Sequence, residues 1–314
     1  MWFPVAGIEV HPLVPPLVAF GISFFTSMGG VSGAFLLLPF QLSVLGFSSP
    51  ALSSTNQLYN LVAIPWGVWR YIREGRMVWP LTWIIAASTL PGVFAGVIIR
   101  IRYLPDPGRF GLFVGSILLY IGILIGKGLF GGGTVYKQSA EARFQELVTS
   151  HKQKEISSGE PLPRTHVESF GAARLSYVFY GERFTVSVVK IFLISAVIGL
   201  VGGVYGIGGG AIMAPILVAG FHLPVYSVAG AALMGTFITS LAAVIFSMML
   251  APVFPHLQVA PDWMLGLLFG VGGAAGMYCG AMAQKYFPAR IIKGVLAFCL
   301  FFLAGKYLFS FISQ

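Results

Sequence analysis

Long apolar runs with almost no charged side chains dominate this sequence and leave few folds open to it. Charged residues make up 9% of the 314 positions and hydrophobic residues 57%, whereas a soluble domain usually carries about 25% charged residues. Several runs reach about 20 residues, the length that a helix needs to cross a bilayer. The sequence therefore predicts an all-α, multi-pass membrane protein.

Two of the apolar runs are interrupted by glycine clusters. The first contains Gly30, Ser32 and Gly33, and the second contains Gly206, Gly208, Gly209 and Gly210. Glycine in a helix interior costs about 1 kcal/mol relative to alanine. A helix broken inside a membrane frees backbone N–H and C=O groups, which only protein or a polar cavity can satisfy there. Paired breaks in two halves of a chain indicate the binding site of a transporter.

Polar turns divide the rest of the chain into apolar segments. In the first half these are 13–28, 33–45, 51–71, 79–99 and 110–129, and in the second half 188–201, 211–219, 226–250, 264–284 and 291–311. The region between the halves is charged, and 177–186 within it is typical of a β-hairpin with Gly181 in the turn. We predict a first membrane repeat at 12–130, a soluble cytoplasmic linker at 131–186 and a second membrane repeat at 187–314.

The two halves repeat the same landmarks in the same order. Gly33, Pro39, Gly46, Pro50, Gly92 and Gly96 align with Gly209, Pro215, Gly220, Pro224, Gly276 and Gly280. Any one of these pairs is expected by chance in a chain with 40 glycines, but a near-constant offset across the set is not. The sequence predicts an internal duplication.

The glycine breaks allow two topologies. If each break lies within a single span, each half crosses the membrane four times and the repeats are parallel. If each break forms a re-entrant helix pair, each half adds three transmembrane helices and the repeats are inverted. The inverted arrangement places the basic regions 70–76, 131–185 and 285–293 on one side, as the positive-inside rule requires. We favour it, with both termini extracytoplasmic, although Arg100, Arg102 and Arg109 then lie on the wrong side.

The start of the short helix after each break is a candidate anion site. Near Gly33 and Gly209, free N–H groups and the positive end of the helix dipole would face a negatively charged ligand. The alternative is that these glycines only allow helices to pack closely, as small residues often do in membranes. Two clusters in register, each followed by proline, favour the binding site.

Polar side chains inside the apolar segments supply further candidates. Asn56, Gln57 and Asn60 are costly at membrane depth unless they pair or line a cavity. Gln41 and Tyr205 lie beside the breaks, although ordinary packing explains each of them equally well. Thr236 and Ser240 occupy the matching part of the second half, where such hydroxyls often bond their own helix.

The acidic residues indicate the charge of the ligand. All ten lie in loops or at segment ends, so no carboxylate relay crosses the membrane. A neutral polar cavity with N–H donors suits an anion. The net charge of +9 comes from basic loops, so we expect the lipid bilayer and a small anion as partners, and no nucleic acid. We expect no catalytic residue, metal or cofactor; Cys279 is the only reactive candidate within a span.

The sequence resembles the sulfite exporter TauE/SafE family of membrane transporters. The resemblance lies in the stretch 206–215, in Ala219-Gly220-Phe221 with Pro224, and in the small residues 229–232. It implies an integral protein of a bacterial inner membrane that moves sulfite, an organosulfonate or a related anion by alternating access at a midplane site between the repeats. This chain departs from the family pattern at Asn56-Gln57 and at Ser32, which leaves the particular anion open.

Two other functions compete with this one. An anion channel of the same fold would use the same residues, and the sequence does not distinguish it from a carrier. A membrane-embedded enzyme or maturation factor would need a nucleophile, a metal cluster or an acid/base pair at membrane depth. The direction of transport, the coupling ion and the oligomeric state are likewise left open.

Overall fold

The structure is a computed structural model that describes residues 1–28, 31–130, 165–179, 182–221, 223–283 and 289–312. The helices of the first half are α1 (Val14–Met28), α2 (Ala34–Ser43), α3 (Ala51–Arg73), α4 (Trp79–Arg102) and α5 (Pro107–Phe130). Those of the second half are α6 (Val188–Tyr205), α7 (Met213–Gly220), α8 (Val225–Leu250), α9 (Trp263–Ala283) and α10 (Ala289–Ile312). The strands are β1 (Trp2–Phe3), β2 (Ile8–Glu9), β3 (His166–Phe170), β4 (Arg174–Phe179) and β5 (Glu182–Ser187).

The apolar segments become helices close to their predicted bounds. Within the described residues, five helical stretches are long and apolar enough to cross a membrane: Trp79–Arg102, Pro107–Gly126, Val188–Tyr205, Ser227–Val253 and Trp263–Ala283. The two breaks are preserved, since α1 and α2 are separate helices and so are α6 and α7. The chain is an integral membrane protein built mainly of α-helices.

The segment predicted at 188–201 ends too early, because the pair Gly202-Gly203 that follows it resembles a helix break and is not one. Helix α6 continues through both glycines to Tyr205 and ends at Gly206, whose φ of 83° is left-handed. Gly203 instead lies against the backbone of Val93 on α4, where a Cβ would find no room. The sequence signal was real, but it marks close helix packing at this position.

The helices of the two halves exchange equivalent contacts. Helix α4 packs along α6, and α9 packs along α1. Helix α3 packs on α9 just as α8 packs on α4, while α3 meets α8 and α5 meets α10. Every one of these pairings is reproduced when the halves are swapped, as an internal duplication predicts.

Glycine contacts give the directions of the paired helices. Gly92 lies against Ala196 and Gly96 against Leu200, so α4 and α6 run parallel. In the other pair, Gly272 lies against Pro16 and Gly280 against Phe24, so α9 and α1 also run parallel. The matching directions extend the equivalence of the halves from contacts to orientation.

Helix α2 runs opposite to the helices on either side of it. Gly266 lies against Leu58 and Gly270 against Val62, so α9 is parallel to α3 as well as to α1. In contrast, Ser32 bonds Asn60 while Gln41 bonds Asn56, so α2 is antiparallel to α3. The chain therefore turns back on itself between α1 and α2, and α3 begins at the end where α1 began.

A three-stranded antiparallel sheet, β3-β4-β5, precedes α6. The predicted hairpin is confirmed by β4 and β5, which pair from Arg174↔Ser187 to Phe179↔Glu182, although Gly181 lies outside the described residues. Strand β3 was not predicted, and most of the proposed linker, 131–164, also lies outside them. Leu175, Tyr177 and Phe179 are fully buried, so this sheet packs onto the helices.

Tyr177 anchors the sheet to α8, and burial raises the pKa of its phenol. The phenol oxygen lies 3.0 Å from the Ser227 hydroxyl. Above the ordinary tyrosine pKa of about 10, the unfolded chain ionises while the buried phenol does not, so the free energy of unfolding falls as pH rises. We expect Tyr177→Phe to lower stability by about 1 kcal/mol at neutral pH and to flatten this alkaline loss. Denaturation of the solubilised protein between pH 7 and 11 measures both; parallel pH profiles for the two proteins would contradict the assignment.

Candidate functional site

The two glycine breaks lie side by side, and Asn56 on α3 connects them. Its Nδ2 donates to the Ala34 carbonyl of the first break at 2.9 Å and to the Gly206 carbonyl of the second at 3.0 Å. Its Oδ1 accepts from Gln41 at 3.2 Å. The side chain is fully buried, so each of these bonds satisfies a group that water cannot reach.

Asn60, one helical turn further along α3, makes a second connection. Its Nδ2 lies 3.0 Å from both the Ile207 carbonyl and the Ser240 hydroxyl. Its Oδ1 accepts a hydrogen bond from Ser32 beside the first break. The α3 amides therefore bond residues 32–34, residues 206–207 and α8 simultaneously.

Tyr205 adds an aromatic contact between the breaks. Its phenol donates to the Phe35 carbonyl at 3.1 Å, and the two rings stack with centroids 5.9 Å apart. Gln41 is less well satisfied, because its buried Oε1 has no hydrogen-bond partner among the described residues. An unsatisfied buried acceptor next to Asn56 is the kind of group that a ligand or a water molecule fills.

The starts of the short helices already have partners for some of their N–H groups. The Ala34 N–H donates to the Ser32 hydroxyl at 3.2 Å, and the Gly209 N–H donates to the Thr239 hydroxyl at 3.0 Å. The Thr236 hydroxyl donates to the Ala232 carbonyl of its own helix, which is the alternative predicted from the sequence for this residue. The donors thus face hydroxyl groups in this conformation.

The second cluster also packs tightly on α8 and α4. A Cβ at Gly208 would lie 2.7 Å from the Ser240 hydroxyl, and one at Gly210 would lie 2.6 Å from the Thr236 nitrogen. Gly209 faces Thr89, and Gly33 faces Tyr59, with equally little space. Small residues are therefore required here for close approach, whatever else the clusters do.

Gly206 combines a left-handed backbone with a crowded position, and Gly46 allows the two effects to be separated. Both have positive φ, at 83° and 74°, but a Cβ at Gly206 would lie 2.5 Å from the Ser53 Cα while one at Gly46 meets nothing within 4 Å. We expect Gly46→Ala to cost about 1 kcal/mol of stability and Gly206→Ala about 3 kcal/mol or more. Thermal unfolding of both variants measures the difference; equal losses would mean that backbone strain alone explains Gly206.

The structure brings together most of the residues that the sequence singled out. Around the two breaks lie Ser32, Gly33, Gln41, Asn56, Asn60, Tyr205, Gly206, Gly208, Gly209, Gly210, Thr236 and Ser240. Gly30 lies outside the described residues. Gln57 makes none of these bonds and lines a separate cavity.

Three further residues lie near the breaks, and one of them, Arg100, was not a candidate. Ser53 lies within 3.4–3.5 Å of the Val204 and Tyr205 carbonyls, and Thr239 accepts from the Gly209 N–H. Arg100 lines the cavity that contains Gln57. Ser53 and Thr239 belong to polar runs that the sequence displayed, whereas only the violation of the charge rule pointed to Arg100.

An apolar cavity adjoins the first residues after each break. Its free volume is about 10 Å³, roughly the room that one water molecule needs, and it is lined in part by Val31, Phe35, Ala211, Ile212 and Pro215. No carboxylate of the described residues hydrogen-bonds the network around the breaks. The site thus combines neutral donors with an apolar wall.

Comparison with known proteins gives a family and one distant relative. The family model described as "Sulfite exporter TauE/SafE" matches residues 16–307. A protein of Bacillus subtilis (strain 168), named as the probable membrane transporter protein YdhB, is 28% identical over 115 residues, which is 36% of this chain and 43% of that protein. The chain therefore spans less than half the length of this relative. No solved structure matches.

Proposed function

The chain belongs to the sulfite exporter TauE/SafE family, and on that premise we propose that it carries a small sulfur-containing anion across the membrane. The observation that supports this most is the meeting of the two breaks at Asn56 and Asn60. Broken helices at one place in two repeats are how many transporters build a binding site near the bilayer midplane. The donors there are amides, hydroxyls and backbone N–H groups, which favour an oxyanion.

Alternating access would require these internal bonds to be exchanged for bonds to the substrate. In this conformation the Asn56 and Asn60 amides donate to backbone carbonyls of the breaks, so these donors are occupied by the protein itself. An anion that accepts from the same amides would release the breaks from α3. This exchange would couple substrate binding to movement of one repeat against the other.

The apolar cavity beside the breaks favours an organosulfonate within this class of anions. Once the breaks are released and this small cavity widens, Val31, Phe35 and Ile212 would contact the carbon part of such a molecule, while the neutral donors would hold its sulfonate group. Inorganic sulfite has no apolar part to bury. We therefore expect affinity to rise with a short alkyl chain, by about 0.8 kcal/mol for each buried methylene group.

The helix directions support the inverted, re-entrant topology. Helix α2 runs against α1 and α3, so the first helix pair enters and leaves on the side where α3 begins. The linker strand β5 leads directly into α6, and Thr165 bonds the Gly75 carbonyl after α3, so α3 ends on the linker side. With the linker in the cytoplasm of a bacterial cell, Gln314 would be extracytoplasmic, and a fused reporter that is active only in the cytoplasm should remain silent.

Exchange in proteoliposomes tests the proposed function. Proteoliposomes that contain the purified protein and are loaded with unlabelled methanesulfonate should take up labelled sulfite or methanesulfonate, and the uptake rate should saturate. Trans-acceleration of this uptake would distinguish a carrier from a channel of the same fold. Full exchange in a Cys279→Ala variant would exclude a role for that thiol. Absence of flux for sulfite, thiosulfate and short alkanesulfonates, together with flux of a cation, would overturn the proposal.

A further inference from the structure

A second cavity, which has polar lining residues, lies next to the glycine breaks on the side where α3 begins and α4 ends. Its free volume is about 10 Å³, roughly the room that one water molecule needs, and its lining includes Ser53, Gln57, Arg100, Gly203 and Ser247. Ser53 also packs against Gly206, so only one residue separates this cavity from the second break. Its polar lining distinguishes it from the apolar cavity described above.

Arg100 is a buried cation that has no acidic partner among the described residues. Its side chain lies on α4 with 1% of its surface exposed, and its guanidinium stacks over the Phe110 ring at 3.7 Å. The two terminal nitrogens donate to the Leu104 and Ser49 carbonyls, whereas Nε has no partner. No carboxylate of the described residues forms a salt bridge with it. A buried charge is costly unless a counter-charge accompanies it.

Gln57 is an unpartnered amide that lines the same cavity. Its side chain is 1% exposed, and neither Nε2 nor Oε1 forms a hydrogen bond within the described residues. Its neighbours on α3 behave differently, because Asn56 and Asn60 are both fully engaged. A buried amide with no bonds indicates a ligand or water that completes it.

A purely structural interpretation explains only part of this arrangement. Arginine near a helix C-terminus commonly bonds the last carbonyls, which accounts for the contacts of Arg100 with Leu104 and Ser49. It does not account for burial without a counter-ion or for the free amide of Gln57. Water alone would satisfy the amide and leave the positive charge uncompensated.

We propose that Gln57 and Arg100 form an anion-binding site, distinct from the site between the breaks, that receives the oxyanion before or after it reaches the breaks. When the cavity widens to admit one sulfonate or sulfite group, the free Nε of Arg100 and the amide of Gln57 supply charge-assisted and neutral donors for it. In the proposed topology the site faces the extracytoplasmic side. This also explains why a basic residue is retained on the side that the positive-inside rule leaves poor in cations. The identity of the anion rests on the proposed function.

The decisive variant is Gln57→Met, because the Gln57 side chain forms no hydrogen bond with the described residues that the substitution would break. The full-length protein in lipid nanodiscs is titrated with sulfite and with methanesulfonate, and binding is followed by calorimetry and by the shift in Tm. We expect Gln57→Met to keep or raise the Tm of the ligand-free protein and to weaken anion binding by about 10- to 100-fold. Unchanged anion affinity in this variant would overturn the inference.

Arginine variants provide the matched comparison. Arg102 lies on the same helix but is exposed, so Arg102→Gln should leave affinity within about twofold, whereas Arg100→Gln should lose at least as much as Gln57→Met. Equal losses in the two arginine variants would instead mean that general surface charge attracts the anion, and would overturn the site. If the unaltered protein binds neither anion, the proposed function fails too; if it binds while Gln57→Met binds equally well, only this inference fails.

Discussion

Replacing Asn60 with leucine is expected to abolish anion exchange and to lower the free energy of unfolding by about 2 to 4 kcal/mol. Leucine matches asparagine in size, but it removes the N–H group that donates to the Ile207 carbonyl and the oxygen that accepts from the Ser32 hydroxyl. Both groups are buried between the breaks, so water does not readily replace the lost bonds. Denaturation in detergent and exchange in proteoliposomes measure the two effects.

Gln57→Met is the matched control for the stability effect of Asn60→Leu. It removes a buried amide from the same helix, but one that forms no hydrogen bond. Stability should therefore fall only in the Asn60 variant. An Asn60→Leu protein with the stability and exchange rate of the unaltered chain would show that α3 does not hold the breaks together.

Gly96→Leu is expected to have the largest effect on folding, with a loss of about 3 kcal/mol or more and a low yield of folded protein. Gly96 lies directly against the backbone of α6 at Leu200, Gly203 and Val204. Any side chain would force α4 and α6 apart. This would also displace the end of α6, which precedes the second break. Close approach through small residues supplies much of the packing between membrane helices.

Gly305→Ala controls for the loss of a helical glycine as such. A Cβ at Gly305 on α10 meets nothing within 4 Å, so alanine should leave stability unchanged or raise it by up to about 1 kcal/mol. Tm values of the two purified variants, with the folded fraction from size-exclusion chromatography, test the contrast. A Gly96→Leu protein as stable as Gly305→Ala would contradict the observed contact between α4 and α6.

The membrane class, the helix segments and the repeated order of landmarks could all be predicted from the sequence alone. Apolar runs of bilayer length are what any membrane-spanning helix requires, and the paired order of Gly33, Pro39, Gly209 and Pro215 is visible when one half of the sequence is compared with the other. The polar run around Asn56 was also visible, since amides at membrane depth require partners. Its partners were not, because the Gly206 carbonyl is 150 positions away in the chain.

The sequence also misjudged residues whose role depends on a distant neighbour. Gly202 and Gly203 look like a helix break, yet α6 runs through them because α4 packs against that face. Arg100 looks like a loop charge, yet its side chain is buried beside Gln57. In both cases the identity of the residue was compatible with two environments, and only the helix packed against it decided between them.

The sequence by itself therefore determined that this chain enters a membrane as a set of helices with two glycine breaks, because hydrophobicity and backbone satisfaction are properties of each segment alone. Only the tertiary structure decided that the breaks meet, that Asn56 and Asn60 connect them, and that Gln57 faces away towards a buried arginine. Hydrogen bonds and close packing act over a few ångströms in space. Their partners come from helices far apart in the chain, so no local pattern specifies them.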